Sequence, residues 1–366
     1  MLPIFIAFAA IGLINLCYYL GFFRFAFSTP EVTSEKDSLP VTVIICAKNE
    51  AENLRNFLPL ILSQDHPDFE VVVINDASGD ETLEVIEEFQ QKDARVRVVN
   101  VKNNEAFWAN KKYALTLGIK KAKNPYLLFT DADCRPESDR WLTNMSSQFT
   151  AQKSIVLGYG GYFVENRSLL NKLIRFETLF TAIQYFSYAN WGLPYMGVGR
   201  NLAYTSDEFY KQNGFASHLH VRSGDDDLFV NQAATSANTA LCLSPQGITR
   251  SIPKKDLRSW IEQKRRHVSV AGHYKKRHRF LLGLFYTTQL LFWILFFVLM
   301  FSSFWQLALA LLAVRFIVQG MVFYNSGKKF GETDVFWLFP FLELFLIWVQ
   351  LGIFIANLIA KPTHWK

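Results

Sequence analysis

Tyr126-Leu-Leu-Phe-Thr-Asp-Ala-Asp133 carries five strand-forming residues straight into two carboxylates one residue apart. A short apolar run closed by charge reads as a buried strand, and open parallel sheets bind ligands at the carboxyl ends of their strands. Upstream, Val41-Thr-Val-Ile-Ile-Cys46 and Phe69-Glu-Val-Val-Val-Ile74 are β-branched runs of the same kind, and Val96 to Val101 is another. Lys48 to Leu62, Asp80 to Gln91 and Asn110 to Lys121 have helical patterning and separate these strands. Such alternation predicts a parallel sheet, and residues 40–250 are expected to form one doubly wound α/β domain with antiparallel additions. No internal repeat or low-complexity segment interrupts it.

Half of the 366 residues are hydrophobic and 34 are Phe, yet the charged residues crowd into the middle of the chain. The apolar excess therefore lies at the two ends. Leu2 to Phe23 carries no charge and, at helical rise, is long enough to cross the hydrocarbon of a bilayer. It lacks a basic leader and a small-x-small cleavage site, which favours an uncleaved anchor over residues 1–27. Lys and Arg follow the stretch, so the positive-inside rule places the N-terminus outside and the chain from Arg24 onward in the cytoplasm.

Phe280 to Phe301 and Phe304 to Tyr324 are two further spans, joined tightly enough to form a hairpin. Val335 to Ala360 completes the C-terminal membrane segment, residues 280–360. Three crossings would put the tail Lys361-Pro-Thr-His-Trp-Lys366 outside, and Pro340 and Glu343 would interrupt the last one, so this stretch is expected to be re-entrant or interfacial. Arg315 and Glu343 read as a buried pair, as snorkelling side chains or as contacts to a polar headgroup.

Three acidic signals stand at strand ends or in loops: Asp76, the pair Asp131 and Asp133, and Asp225-Asp-Asp227. Asp76 precedes a turn and can accept from a base amide, whereas Asp80 reads as an Asx-turn and helix N-cap. Asp131 and Asp133 can share a hard cation, Mn²⁺ or Mg²⁺, that also binds diphosphate oxygens; the alternative is a solvated acidic turn. Three adjacent aspartates repel one another unless a cation or shared proton is near. One of them can serve as a base toward an acceptor hydroxyl, and another can decorate the helix that opens at Leu228.

The net charge is +6, and ten Lys or Arg against two acids fall between Lys254 and Arg279. That balance suits an anionic membrane surface or a diphosphate, and nucleic acid is not expected as a partner. Within residues 251–279, Trp260-Ile-Glu-Gln-Lys-Arg-Arg-His267 is expected to be helical, which puts Gln263, Arg266 and His267 within one turn. The run is expected to grip phosphate oxygens or order the acidic cluster, or to anchor the chain to lipid headgroups. Cys17, Cys46, Cys134 and Cys242 have no metal-binding spacing and read as free thiols of a reducing compartment.

Taken in order, these segments resemble the family-two glycosyltransferases, which bind nucleotide sugars on a GT-A fold, and the likeness covers residues 40–270. Val43-Ile-Ile-Cys-Ala-Lys-Asn-Glu50 resembles the family's opening strand and nucleotide-contacting loop, which implies donor-binding roles for Ala47, Asn49 and Glu50. By the same resemblance Asp76 holds the nucleotide base, Lys111 binds the donor, Asp131 and Asp133 bind the metal with Asp131 also on the donor, and Asp226 is the general base beside Asp225. Gln263-Lys-Arg-Arg-His267 resembles the family's Q-x-x-R-W, with His267 where Trp is usual, and Asn110 replaces the usual Gly before Lys111. Gly199-Arg-Asn201 and the aromatic segment Phe176 to Tyr195 read as acceptor-side elements, the latter lying flat on the membrane or packed in a core.

The resemblance implies an inverting transferase whose GT-A domain is inserted between an N-terminal transmembrane helix and C-terminal membrane helices. A polymer-conducting synthase needs more helices around a tunnel, so one-step transfer from a nucleotide sugar, UDP-linked by expectation, to a membrane lipid is favoured. The arrangement of spans resembles that of ceramide glucosyltransferases. The alternatives are a processive polysaccharide synthase and a non-catalytic lipid- or partner-binding membrane protein. The expected location is the cytoplasmic membrane, with the catalytic domain on its cytoplasmic face.

Overall fold

A computed structural model describes residues 1–29, 39–102, 111–221 and 223–359. Asn110 and the tail from residue 360 lie outside them. The chain opens with helix α1 (Leu2–Ala26) and then alternates: β1 (Val41–Ala47), α2 (Ala51–Leu62), β2 (Phe69–Asp76), α3 (Thr82–Lys92), β3 (Val96–Val101), α4 (Lys111–Lys121) and β4 (Tyr126–Asp131). Shorter elements follow: β5 (Cys134–Pro136), α5 (Trp141–Ser146), β6 (Ile155–Leu157) and β7 (Gly160–Tyr162). Then come the long helix α6 (Leu169–Asn190), β8 (Leu202–Thr205), α7 (Ser206–Lys211), α8 (Asp227–Ala233), β9 (Thr239–Leu241) and β10 (Thr249–Ser251). Four helices close the chain: α9 (Leu257–Val270), α10 (Lys276–Leu299), α11 (Trp305–Phe330) and α12 (Phe339–Ile359).

The described residues divide into two units. The first takes those of Met1–Ser28, Arg167–Asn190 and Lys255–Pro362, and the second those of Thr29–Asn166 and Trp191–Lys254. The second unit holds a seven-stranded sheet in the order β3-β2-β1-β4-β8-β6-β9 and a small sheet ordered β5-β10-β7. Strands β1 to β4 are mutually parallel, and β8 runs antiparallel to β4 and β6. The β-branched runs are buried on both faces, as a sheet covered by helices requires, with Val43, Ile44, Val71 and Val72 almost wholly inaccessible. Gly118 lets α4 press onto the sheet, since a Cβ there would meet Ile74 Cδ1 at 2.4 Å.

Two helix starts differ from the sequence reading. Helix α2 begins at Ala51 rather than Lys48 because Asn49 takes a left-handed conformation, φ 57°, which cannot continue a helix. Helix α3 begins at Thr82 with Glu81 in the cap position. Asp80 instead accepts the Thr82 N–H at 3.1 Å and the Ala51 N–H at 3.3 Å, so it ties the start of one helix to that of the other.

In the first unit, α1, α10, α11 and the stretch Thr333–Ile359 are long and apolar enough to cross a membrane. At most a third of each is covered by protein, and side chains such as Leu13, Phe301, Ile317 and Ile359 are exposed. Apolar surface of that extent needs lipid rather than water. The last stretch does change character near Pro340, from a 3-10 helix over Thr333–Leu338 to α12 from Phe339, whose first turn holds Pro340; past that point α12 runs unbroken through Glu343. Glu343 is wholly buried against Arg315, with oxygens 2.5 and 3.0 Å from the guanidinium, so the pair reading is the one realised. In α6, Phe176 stacks on Phe323, Phe186 on Phe25 and Phe330, and most of the helix is buried, so these aromatics are packed in a core.

Candidate active site

The carboxyl edge of the parallel strands is stitched together by side chains from two loops. Asn49 donates its N–H to Ser78 Oγ at 3.0 Å and accepts the Gly79 N–H at 2.8 Å on its Oδ1. The Glu50 N–H reaches Thr82 Oγ1 at 2.8 Å, and the Glu50 carboxylate accepts from Asn53 Nδ2 at 2.6 Å. Ala47, at the end of β1, is buried level with Asn75 of β2. Asp76, the last residue of β2, is buried, and burial pushes its carboxyl up against the opposing pull of Lys48 and Lys111.

Lys111 brings the other acidic signals together. Its Nζ lies 2.9 Å from Asp131 Oδ1 and 3.3 Å from Asp225 Oδ2, so carboxylates from β4 and from the loop before α8 meet on one ammonium. Burial pulls that ammonium down, but the charges of Asp131 and Asp225 hold it well above the usual lysine range. A cavity of about 20 Å³ opens beside them, lined among others by Cys46, Thr130, Gly199, Tyr204 and Asp225, and is large enough for one water.

Asp225 and Asp226 diverge in character although they are adjacent. Burial raises the Asp225 carboxyl, against the pull of Lys111. Asp226 is the N-cap of α8 and accepts the Asp227 N–H at 2.8 Å and the Gly199 N–H at 2.7 Å. Burial opposes its ionisation, but the hydrogen bonds from Asp227 and Gly199, together with the Lys111 charge, hold it at about 2. The cap reading and the reactive reading of this cluster thus fall on the same residue.

Asp133 makes no ion pair among the described residues. Burial, then the charges of Asp131 and Glu50, push its carboxyl up to about 6. Oxygen atoms of Asp131 and Asp133 and the Cys134 sulfur lie within 4.8 Å of one another. Burial keeps the Cys134 thiol protonated, and its Sγ is 3.1 Å from Ser251 Oγ, which leaves the Asp131 and Asp133 oxygens as the donors for a cation. Surplus negative charge on oxygen donors suits a hard divalent cation.

Two further cations stand at this edge, of which the sequence reading does not assign Lys112. Lys112 is fully buried and donates from Nζ to the carbonyls of His218 (2.8 Å), Val221 (2.8 Å) and Ser223 (2.9 Å), which ties α4 to the loop that delivers Asp225. A second lysine at a helix N-terminus runs against the helix dipole, and that was its available signal. Arg200 had been placed on the acceptor side only as part of Gly199-Arg-Asn201. Its neighbour Asn201 is buried and locked by Trp141 Nε1 at 3.0 Å and by the carbonyls of Tyr159 and Gly247 at 2.9 and 2.7 Å.

Gln263, Arg266 and His267 lie in the first unit, within one turn of α9 as the spacing requires. Gln263 and Arg266 are half-buried, His267 is exposed, and Gln263 Oε1 has no partner among the described residues. The intervening basic residues hold the helix in place: Lys264 pairs with Glu177 of α6, and Arg265 Nε donates to Asn357 Oδ1 of α12 at 3.0 Å. All four cysteines are free thiols.

Residues 42–202 match the family described as glycosyl transferase family 2. Over 99 residues the chain is 33% identical to a poly-beta-1,6-N-acetyl-D-glucosamine synthase of Staphylococcus epidermidis, covering 27% of this chain and 23% of that protein. Over 128 residues it is 28% identical to the UDP-Glc:alpha-D-GlcNAc-diphosphoundecaprenol beta-1,3-glucosyltransferase WfaP of Escherichia coli, covering 34% of this chain and 47% of that protein. Both matches span less than half of the relative's length. The solved structure of mannosyltransferase PcManGT from Pyrobaculum calidifontis, in complex with GDP-Man and Mn²⁺, superposes with a TM-score of 0.61 at 18% identity, covering 91% of this chain and 96% of that one. The likeness in structure establishes a GT-A fold.

Proposed function

From the premise that residues 42–202 form a glycosyl transferase family 2 domain, we propose that this chain is an inverting, metal-dependent hexosyltransferase that moves a sugar from a nucleotide sugar to a membrane lipid at the cytoplasmic face. The observation that supports the proposal is the meeting of Asp131 and Asp225 on Lys111 beside one small cavity, with Asp133 and Asp226 two residues and one residue further along the chain. Ala47, Asn49, Glu50, Asp76, Lys111 and Asp131 take the donor. Asp131 and Asp133 would hold Mn²⁺ or Mg²⁺, which supplies charge neutralisation for a departing diphosphate.

Asp225 is engaged by Lys111, which leaves Asp226 as the carboxylate for the acceptor. With a pKa of about 2 it stays ionised at any physiological pH, and two backbone N–H groups fix its orientation. A base this weak takes the proton late, once departure of the diphosphate has made the attacking hydroxyl acidic. Gln263, Arg266 and His267 are assigned to the phosphate and acceptor side. A lipid acceptor is supported by the four apolar helices and by WfaP, whose named acceptor is a diphosphoundecaprenol.

The likeness to a poly-N-acetylglucosamine synthase favours processive synthesis as the second reading. Incubation of the protein in nanodiscs with a lipid extract, Mn²⁺ or Mg²⁺ and a panel of nucleotide sugars, followed by mass spectrometry of the lipids, separates the two. The expected product is a lipid heavier by one hexose-type residue, made with metal and abolished by Asp226→Asn. A ladder of polymer masses would replace single addition with the synthase, and no product from any donor would remove both.

A further inference from the structure

Arg200 is a cation that this fold holds beside its acids without pairing it to one. Its backbone is rooted on both sides: the Arg200 carbonyl accepts from Thr130 Oγ1 at 3.1 Å and from Thr249 Oγ1 at 2.9 Å, and Gly199 before it donates to Asp226. The guanidinium carbon sits 4.2 Å from the centroid of the Tyr162 ring, and Nη1 donates to the Gly161 carbonyl at 3.1 Å and to Ser251 Oγ at 3.2 Å. Gly160 leaves the side chain its course, since a Cβ there would lie 3.1 Å from Arg200 Cβ and 3.5 Å from Nε. Among the described residues, Nε and Nη2 have no acceptor and no carboxylate forms an ion pair with Arg200, although the charges of Asp133 and Asp131 act on it.

A half-buried guanidinium that is stacked on one face, with one nitrogen committed and the rest of its donor fork open, is pre-organised for an oxyanion. Structural neutralisation of Asp133 would instead draw the fork into a carboxylate pair, and no such pair forms. We infer that Arg200 is a phosphoryl-binding residue of this site, taking an oxygen of the donor's diphosphate or of a phosphate on the lipid acceptor. The inference rests on the glycosyltransferase reading, and it adds a ligand contact that neither the acidic motifs nor the Gln263 to His267 stretch provides.

Binding of UDP, GDP, uridine and guanosine with Mn²⁺, and of a polyprenyl phosphate against the parent polyprenol, to the full chain in nanodiscs tests it. Arg200→Gln is expected to weaken nucleoside diphosphates, or the polyprenyl phosphate, by about tenfold to a hundredfold while leaving nucleosides and polyprenol unchanged. Which of the two phosphates loses affinity identifies the source. Arg200→Lys keeps the charge without the fork and is expected to lie between wild type and Arg200→Gln, which holds the test open should Arg200→Gln fold poorly. Phosphate affinities equal to wild type in a variant that melts normally, or losses of the same size for nucleosides, would overturn the inference. Failure of wild type to bind either phosphate would instead bring down the glycosyltransferase reading beneath it.

Discussion

Lys112 shows how one buried side chain can set the position of others. Its three carbonyl partners belong to the loop before Gly224, so loss of the ammonium leaves buried acceptors unsatisfied in the segment that carries Asp225 and Asp226. Lys112→Met is expected to cost about 2 kcal/mol of stability, read as a lower thermal midpoint, and to lower turnover as the aspartates lose their placement. Asp133 makes a second residue-scale prediction. Its folded pKa of about 6 exceeds the ordinary 3.8, so between those values the folded state holds the extra proton, and stability falls as pH rises through that window when no cation is bound. A cation that displaces this proton binds more tightly as the pH rises. Mn²⁺ affinity measured by calorimetry is expected to be about tenfold weaker at pH 5 than at pH 7, and Asp133→Asn to flatten the dependence. Asp226 has the opposite sign: its folded pKa of about 2 gives stability that is present above about pH 4 and is lost as the pH falls toward 2.

Among the elements, the apolar helices are joined by a buried polar network. Arg315 and Gln319 of α11, Glu343 of α12, Gln289 of α10 and Tyr19 of α1 are all buried and share hydrogen bonds. Removing one charge from such a pair strands the other, so Glu343→Gln or Arg315→Met alone is expected to cost about 3 kcal/mol or more. The double variant Arg315→Met, Glu343→Leu is expected to recover part of that loss in a thermal unfolding series, and equal losses in single and double variants would refute the coupling. This network also marks where the sequence stopped being informative. Pro340 and Glu343 look like interruptions because their compensation lies elsewhere: a first-turn position that only the helix start defines, and a partner 28 residues upstream. The strands were legible because two-sided burial writes itself as continuous β-branched residues, as in Val71-Val-Val73. The position of Asn49 was not, since its positive φ depends on bonds to Ser78 and Gly79 from another loop.

For the molecule as a whole, the chain combines a GT-A unit with a unit of apolar helices, and α6, which lies between β7 and β8 in sequence, is counted with the helices. The likeness of Asp76, Asp131, Asp133 and Asp226 to a known family exposed the acidic half of the site. Of the cations, Lys111 was legible by the same likeness and Arg200 only as part of Gly199-Arg-Asn201, whereas Lys112 was not, because a lone buried lysine acquires meaning only from the carbonyls folded around it. The central claim is that the acids gathered around Lys111 carry out metal-dependent sugar transfer. Its most direct test is release of nucleoside diphosphate from a panel of nucleotide sugars by the full chain in lipid, with Mn²⁺ and with chelator, for wild type, Asp131→Asn and Asp226→Asn. Release from at least one donor by wild type with Mn²⁺, lost with chelator and reduced at least about a hundredfold in both variants, is the predicted result. Release that persists undiminished in chelator and in both variants would contradict it.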